Sequence, residues 1–328
     1  MRTRQLGNTD LHLTVIGLGA WAMGGPFEFG WGPQDDDDSI ATIRRALDLG
    51  INWIDTAPAY GYGHSEEIVG RALRGMAQRP FIATKCSRVW EQPGAPLGSR
   101  LKAWSIREEA EASLRRLGVD VIDLYQVHRP VPDEDLEEAW GEIAALVAEG
   151  KVRYAGVSNF TVSQIQRLQP ILPVASLQPP LHMLDRSAEA ELLPFCQAEG
   201  LGITAYSPMA SGLLTGKYNR ETLAQLAPDD WRRKHARFSE PELTPNLALV
   251  AALRPIAARL GVTLSQLAIA WVTAHPAVTS AIVGARRPDQ IEETAPAAPL
   301  DLPEDAAMEI NVLLARREAS LKATKAAQ

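Results

Sequence analysis

Eight short apolar runs recur along the chain, and an amphipathic stretch separates each run from the next. The runs are apolar at both odd and even positions, as expected of strands that are buried on two faces. The intervening stretches begin at capping residues and several end at glycine, a pattern typical of helices. The expected strands are Val15–Trp21, Asn52–Ala57, Phe81–Cys86, Val121–His128, Val152–Asn159, Ala175–Pro180, Gly202–Met209 and Ser280–Ala285.

A helix between consecutive strands makes those strands parallel, and eight such units predict an α/β fold of the (β/α)8 TIM-barrel type. We expect residues 1–328 to form a single domain, because α/β barrels of this length commonly do so. A β-hairpin should precede the barrel. Its strands would be Thr3–Leu6 and Leu11–Thr14, with the turn at Gly7 and Asn8, which adopt positive φ at low cost.

The alternative fold is a doubly wound open sheet that carries a dinucleotide fingerprint. The nearest match is Gly17-x-Gly19, but the third glycine falls at Gly24 or Gly25, where no helix begins. The barrel is therefore favoured. In a barrel, the long segment 209–280 between the seventh and eighth strands would emerge at the carboxyl-terminal mouth, where the active sites of barrel enzymes lie.

Charge and cysteine content argue against several function classes. The net charge of −7 disfavours nucleic-acid and anionic-membrane binding, and no apolar run approaches the roughly 20 residues of a transmembrane helix. Cys86 and Cys196 are far apart and lack metal-like spacing, which indicates a reducing, cytoplasmic environment. The acidic run Asp35–Asp38 precedes a helix expected to begin at Ser39, so it predicts helix capping and no metal site.

Four polar residues stand at or just beyond the ends of three successive predicted strands: Asp55, Tyr60, Lys85 and His128. Barrel closure would bring them to one mouth. There the Lys85 ammonium would lower the pKa of Tyr60, and Asp55 would hold Lys85 by ion pairing. His128 would orient a carbonyl oxygen, and Tyr60 would be the general acid. Each residue alone is more typical of an ordinary packed, solvated or capping side chain, but the four together favour an acid site.

Six segments resemble sequence blocks of the aldo-keto reductases and follow one another in the same order. Three match the blocks around the family's catalytic residues: DTAPAYGYGHSEEIVG (Asp55–Gly70), IATKC (Ile82–Cys86) and DLYQVH (Asp123–His128). Three match its cofactor blocks: GVSNF (Gly156–Phe160), AYSPMASGLLTGKY (Ala205–Tyr218) and VGARRPDQIEE (Val283–Glu293). The chain is most similar to the bacterial branch that also resembles potassium-channel β-subunits.

The resemblance implies a barrel that binds NADPH in extended form and passes a hydride to an aldehyde or ketone, with a proton from Tyr60. Asp55, Tyr60, Lys85 and His128 fill the positions of the family's catalytic tetrad. The residues implied at the nicotinamide are Ser158, Asn159, Gln178 and Tyr206. Those implied around the pyrophosphate are Ser207, Pro208, Met209, Ser211, Gly212, Leu213 and Lys217, and those at the adenosine and its 2′-phosphate are Gly284, Arg286, Gln290 and Glu293.

The cofactor block after the eighth strand bears on the choice of cofactor. Arg286 and Arg287 would form a cation pair, and guanidinium groups match phosphate geometry, so NADPH is favoured over NADH. Thr294 stands where the family usually has Asn, which removes one expected adenine contact. His128 is replaced in channel-associated relatives, so its presence favours ordinary carbonyl reduction.

Tryptophan placement suggests where a substrate would lie. Trp21 and Trp90 fall at the expected mouth, and we expect both to line an apolar substrate pocket. The alternative is that they pack loops against the barrel. Trp31 and Trp231 also belong to segments expected at the mouth, whereas the predicted core tryptophans are Trp53, Trp104, Trp140 and Trp271.

The sequence therefore favours an NADPH-dependent reductase of small-molecule aldehydes or ketones. It predicts no nucleic-acid or membrane partner and leaves the oligomeric state open. The alternative is a cofactor-sensing regulatory subunit with slow turnover, by resemblance to the channel β-subunits, although the complete tetrad disfavours it. A third possibility is an aldolase that forms a Schiff base on Lys85, which the cofactor blocks disfavour.

Overall fold

The chain begins with an antiparallel hairpin and continues into a closed barrel of eight parallel strands, as the sequence predicts. The hairpin strands are β1 (Thr3–Gln5) and β2 (His12–Thr14). The computed structural model describes residues 1–27, 29–228 and 230–326. The later strands are β3 (Ile16–Gly19), β4 (Trp53–Asp55), β5 (Phe81–Cys86), β6 (Arg88–Val89), β7 (Gly98–Ser99), β8 (Ile122–Val127), β9 (Val152–Ser158), β10 (Ser176–Gln178), β11 (Gly202–Tyr206) and β12 (Ser280–Gly284), of which β6 and β7 form a separate hairpin.

The main apolar core lies where the outer faces of the barrel strands meet the apolar faces of the surrounding helices. Each barrel strand pairs with its successor, and β12 pairs with β3 to close the ring. The helices are α1 (Asp36–Asp48), α2 (His64–Leu73), α3 (Ala103–Leu117), α4 (Leu136–Ala148), α5 (Val162–Leu168), α6 (Leu192–Glu199), α7 (Arg220–Ala224), α8 (Leu243–Leu260), α9 (Leu264–Thr273), α10 (Pro288–Thr294) and α11 (Glu304–Ala326).

The amino-terminal hairpin closes the end of the barrel where the strands begin. Leu6, Leu11 and Leu13 pack with the buried Trp53 indole in a separate apolar cluster. The indole N–H of Trp53 donates to the carbonyl oxygen of Thr14 (3.2 Å) and lies 3.1 Å from the Ser280 hydroxyl oxygen. This arrangement leaves the opposite end, where the strands finish, as the mouth.

The acidic run before the first helix caps it, as predicted. The Asp35 carboxylate accepts a hydrogen bond from the backbone N–H of Asp38 (2.9 Å). The helix begins at Asp36, three residues before the expected Ser39, because the next three carboxylates lie in its first turn near the positive end of the helix dipole. Among the described residues, no cluster of three or more potential ligand side chains could hold a metal ion.

The core prediction is wrong for Trp104. Its side chain is 55% exposed, and the Arg100 guanidinium lies 4.9 Å from its ring centre. Trp104 is in the first turn of α3, whose buried side follows Ile106, Ala110 and Leu117 and leaves the indole outside. The other three behave as expected or nearly so: Trp53 and Trp140 are buried, and Trp271 packs half-buried on the core.

Both cysteines are buried and unpaired, as expected from their spacing. Within the described residues, no single helix is long and apolar enough to cross a membrane. The consecutive helices α8 and α9, which meet at 87°, together satisfy the same length and composition test.

Candidate active site

The carboxyl ends of the barrel strands surround a cavity of about 990 Å³. This volume is at the upper end of the range for small-molecule sites. Residues at the ends of six barrel strands line it: Gly19, Asp55, Ser158, Gln178, Tyr206 and Gly284. The remaining residues implied by the family resemblance that line it are Tyr60, His128, Asn159, Ser207, Pro208, Met209, Ser211, Gly212, Lys217, Arg286, Gln290 and Glu293, together with Trp21.

Lys85 is fully buried and does not itself line the cavity, but two of its partners, Asp55 and Tyr60, do. Its Nζ donates to Asp55 Oδ1 (2.6 Å), to the carbonyl oxygen of Thr56 (2.9 Å) and to the Tyr60 hydroxyl (3.2 Å). An ammonium has three protons, so each has an acceptor. The buried charge is therefore paired and hydrogen-bonded, which its burial requires.

The pKa of Tyr60 departs from the sequence expectation. Burial raises the pKa of this phenol, and the Lys85 charge only partly opposes that rise. For Lys85, burial alone would lower the pKa, but the Asp55 carboxylate and Tyr60 raise it above its ordinary value. The phenol is thus held in its protonated form at neutral pH beside a permanent cation. The sequence revealed the neighbouring charge but not the extent of burial.

Two glutamine side chains fix the second oxygen of the Asp55 carboxylate. Gln178 Nε2 donates to Asp55 Oδ2 at 2.8 Å, and Gln126 Nε2 does so at 3.4 Å. Gln178 also donates to Gln126 Oε1 (3.2 Å). Gln126 was not identified from the sequence, although it lies two residues before His128 on β8 and therefore on the same face of the strand.

His128 follows β8 and meets Tyr60 edge to face, with ring centres 5.9 Å apart. Burial, together with the charges of Lys85, Arg129 and Arg88, lowers the pKa of His128 well below its ordinary value. The imidazole is therefore neutral at physiological pH. Its Nδ1 is buried without a hydrogen-bond partner among the described residues, so this ring nitrogen is left available for a hydrogen bond to a ligand.

Close backbone contact fixes the loop that carries Tyr60. A Cβ at Gly61 would lie 1.9 Å from the carbonyl oxygen of Gly24, and Gly61 has a φ of +66°. Tyr62 follows with a φ of +57°, an uncommon conformation for a bulky residue. Only glycine fits this approach, and the strand-to-helix turn presents Tyr60 to the cavity as a result.

The residues that the family resemblance implies at the nicotinamide are linked by hydrogen bonds. The Ser158 hydroxyl donates to the carbonyl oxygen of Gln178 (2.9 Å), and the Tyr206 hydroxyl donates to Asn159 Oδ1 (2.9 Å). Asn159 Nδ2 donates to the carbonyl oxygen of His128 (3.1 Å). These bonds fix the wall beside His128 in one arrangement.

The loop after β11 has the geometry of an anion site. Ser207, Ala210 and Ser211 have positive φ values of 57°, 50° and 56°, and Gly212 follows at 88°. Non-glycine residues in this region carry strain that clusters at functional sites, and such turns direct backbone N–H groups at anions. Lys217 adds a cation to the same side of the cavity. This donor set fits the phosphates of a nicotinamide dinucleotide. Leu213 lies in the apolar core beneath the loop instead of lining the cavity.

The expected arginine pair does not face the cavity as a pair. Arg287 is exposed and bonded to Asp289 (3.1 Å), whereas Arg286 lines the cavity. The Arg286 guanidinium donates to Gln34 Oε1 (2.6 Å) and to the carbonyl oxygens of Trp31 (3.3 Å) and Pro33. The loop that follows β3 is thereby tied across the mouth to the loop that follows β12.

Aromatic side chains form one wall of the mouth. Trp21 contacts both Trp31 and Trp231 at ring-centre distances of 5.9 Å, and Phe27 lies 6.5 Å from Tyr60. This placement of Trp21 agrees with the substrate-pocket hypothesis. Trp90 instead packs on Tyr62 (5.6 Å) and lies outside the described residues that line the cavity, which agrees with the loop-packing alternative.

Sequence reasoning missed several charged and polar residues of the cavity. Arg129 had a detectable signal, because it follows His128 directly at a strand end. Arg88 begins the short strand β6, two residues after the end of β5. The others come from segments whose path over the mouth has no local sequence signature: His182, Asp185, Lys234, His235 and Arg237.

Comparisons with known proteins agree with this geometry. The model of the aldo/keto reductase family matches residues 15–315. Aldo-keto reductase YhdN of Bacillus subtilis is 37% identical over 96% of this chain and 94% of the relative. The NADH-specific methylglyoxal reductase of Escherichia coli is 36% identical over 92% and 95%. A probable voltage-gated potassium channel subunit beta of Arabidopsis thaliana is 34% identical over 89% and 90%. The solved glycerol dehydrogenase AKR11B4 of Gluconobacter oxydans superposes with a TM-score of 0.89, at 36% identity, over 96% of each chain.

Proposed function

Because this chain belongs to the aldo/keto reductase family, we propose that it reduces aldehydes or ketones with a nicotinamide cofactor and uses Tyr60 as the general acid. One observation carries the proposal: a protonated phenol, bonded to a buried ammonium, faces a cavity whose other walls suit a dinucleotide. The oxidoreductase names of the Escherichia coli and Gluconobacter relatives support the reaction class.

A bound nicotinamide dinucleotide supplies the hydride, and the residues of this chain do the rest. The Tyr60 hydroxyl holds the proton that a carbonyl oxygen needs as its carbon is reduced. Lys85 stabilises the phenolate that forms when this proton leaves, and Asp55 keeps the ammonium in place. The neutral imidazole of His128 lies beside the phenol and orients the carbonyl oxygen by a hydrogen bond.

We propose NADPH as the preferred cofactor, since Lys217 and Arg286 both line the cavity. Only Arg286 of the arginine pair faces the cavity, and the Escherichia coli relative is named NADH-specific. The preference is therefore measured directly, by comparing kcat/KM for NADPH and NADH in the same assay.

Tyr60→Phe is the test of the function. NADPH oxidation with a panel of aliphatic and aromatic aldehydes should fall by about 100-fold or more, because the acid is lost while the ring remains. NADPH affinity, measured by calorimetry, should be nearly unchanged. Tyr62→Phe is the matched control, because the Tyr62 hydroxyl donates to the carbonyl oxygen of Ala95 (3.1 Å). Turnover that survives in Tyr60→Phe would refute the assignment.

The similarity to a probable channel β-subunit supports a second candidate, a cofactor-sensing subunit with slow turnover. The complete set of Asp55, Tyr60, Lys85 and His128 favours the enzyme instead. Tight NADPH binding with no turnover across the panel, and a stable partner recovered with the protein, would favour the sensing function. Fast turnover by the isolated protein would exclude it.

A further inference from the structure

Six lysine and arginine side chains of the described residues line the cavity, and four of them fall into two groups. Lys217 and Arg286 lie on the side of the strained loop after β11. Burial and then the charge of Arg232 lower the pKa of Lys217, and Arg286 lowers it further. Arg129 and Arg88 lie on the side of the acid group. The charges of both lower the pKa of His128, and burial and the Lys85 charge lower it more. The proposed function assigns no role to this second group.

Arg129 is the uncommitted cation of this second group. Arg129 is exposed, lines the cavity and follows His128 directly in the chain. Within the described part of the chain its guanidinium has neither a hydrogen bond nor an ion pair, and only its backbone is held, by the Ser87 hydroxyl (3.3 Å). Arg88, by contrast, donates to Ser99 Oγ (2.8 Å) and to the carbonyl oxygen of Leu97 (3.0 Å).

Arg237 adds a second charge to the same region. Arg129, Arg237 and Tyr206 all line the cavity. Burial raises the pKa of Tyr206, and the charges of Arg129 and Arg237 oppose that rise. Two acidic residues lie on this side of the cavity. Asp55 is bonded to Lys85, and Asp185 accepts from Ser187 while its charge acts on Arg237. The net charge of the side chains on this side of the cavity is therefore positive.

Trp21 and Phe27 add apolar surface to the same cavity, and the Phe27 ring centre lies 6.5 Å from that of Tyr60. A ligand whose carbonyl oxygen reaches the Tyr60 hydroxyl therefore shares the cavity with both an apolar surface and a free guanidinium. The planar fork of arginine matches a carboxylate, with two parallel hydrogen bonds.

We propose that this protein selects carbonyl substrates that carry a carboxylate on an apolar body, and that Arg129 binds the carboxylate. This rests on the proposed function. The carbonyl carbon gains the hydride, its oxygen gains the Tyr60 proton, the nicotinamide is oxidised, and the carboxylate is unchanged. Arg129 determines specificity and takes no part in proton transfer.

The test compares two aldehydes of the same shape, para-carboxybenzaldehyde and its methyl ester, using the full chain with NADPH and NADH. The wild type should have a higher kcat/KM for the carboxylate. Arg129→Gln should lower kcat/KM for the carboxylate about tenfold to a hundredfold. It should change kcat/KM for the ester less than twofold. Arg129→Lys should keep part of the preference, because it retains charge without the fork. Arg100→Gln, next to Trp104 on the outer surface, is the control. It should leave kcat/KM for both aldehydes unchanged.

Binding separates failure of this proposal from failure of the proposed function. By calorimetry, benzoate should bind more tightly than the neutral benzamide in the presence of NADPH, and Arg129→Gln should remove the difference. Arg129-dependent benzoate binding without any turnover would support the anion site and refute the reductase. Tyr60-dependent turnover with equal kcat/KM for acid and ester, unaffected by Arg129→Gln, would overturn the anion site and leave the reductase standing.

Discussion

At the scale of single residues, the acid site depends on how completely a buried charge is satisfied. The three protons of Lys85 have acceptors on Asp55, Thr56 and Tyr60, and the Asp55 carboxylate accepts further bonds from Gln178 and Gln126. In a region of low dielectric constant, such a network is stable when complete and costly when one partner is removed.

Lys85→Met should therefore destabilise the fold by about 3–5 kcal/mol, because it leaves the Asp55 carboxylate buried and unpaired. Asp55→Asn combined with Lys85→Met should recover most of this loss. Neither variant should have measurable reductase activity. Urea unfolding measures the stabilities, and a double variant no more stable than the single one would contradict the argument.

The rate of carbonyl reduction should show no decline near neutral pH, and its alkaline decline should have a midpoint above the ordinary tyrosine pKa of about 10. The acid must be protonated to act, and burial raises the pKa of Tyr60, so the midpoint of its deprotonation lies above that value. The pKa of His128 lies well below its ordinary value, so its titration should not affect the rate at neutral pH. The pH profile of kcat checks both statements, and a decline centred near pH 8 would show that the Lys85 charge outweighs burial.

At the scale of elements, helix α3 supports the strand end that carries Lys85. The Glu109 carboxylate of α3 accepts from the backbone N–H of Ser87 (2.9 Å) and from the Ser105 hydroxyl (3.0 Å). Ser87 has a φ of +77° and also bonds to Arg129. One side chain of a helix thus holds the turns that follow both Lys85 and His128.

Glu109 should make stability depend on pH. Burial raises the pKa of Glu109 to about 8, against hydrogen bonds from Ser105 and Ser87. In the unfolded chain a glutamate has lost its proton above about pH 4. Between these values the folded state holds a proton that the unfolded state has released, so the free energy of unfolding falls as pH rises.

Glu109→Gln keeps an acceptor for Ser87 and removes this titration, so its free energy of unfolding should fall less than that of the wild type between pH 5 and pH 8. Denaturant titrations at several pH values measure this. Glu108→Gln, an exposed neighbour on the same helix, is the control and should follow the wild type. If the free energy of unfolding fell equally with pH in Glu109→Gln and in the wild type, Glu109 would not be the group responsible.

At the scale of the whole molecule, the barrel is sealed at one end and open at the other. The seal requires that β3 approach the Trp53 indole very closely. A Cβ at Gly17 would lie 2.0 Å from that ring. The hairpin, the first barrel strand and β12 all meet at this point, so its packing supports closure of the ring.

Gly17→Ala should destabilise the protein by about 1–3 kcal/mol, because the added methyl group displaces a ring fixed by two hydrogen bonds. Gly141→Ala is the matched control, since a Cβ added at Gly141 on α4 would meet no described atom within 4 Å. That change should stabilise the helix by up to about 1 kcal/mol. Thermal unfolding of both variants measures the contrast, and similar melting temperatures would contradict it.

The sequence predicted the barrel, its hairpin and all eight strand positions, because buried parallel strands have a distinct apolar pattern. The strand boundaries were predicted less well. Expected strand Asn52–Ala57 contributes only Trp53–Asp55, since Thr56 and Ala57 already turn toward the Tyr60 loop. Family blocks identified residues of the mouth that lie close to strand ends. Arg237 and His182 reach the mouth through long loops, and only the folded path of the chain brings them there.

The three indoles of Trp21, Trp31 and Trp231 give the mouth an intrinsic optical signal. Indole fluorescence depends on local polarity and on nearby charges, and Lys217 and Arg232 lie 5.7 and 4.7 Å from the Trp31 ring centre. Any ligand that enters the cavity changes this environment, whether or not it reacts. Emission from the unlabelled protein is therefore a direct readout for titrating cofactors and candidate substrates in turn.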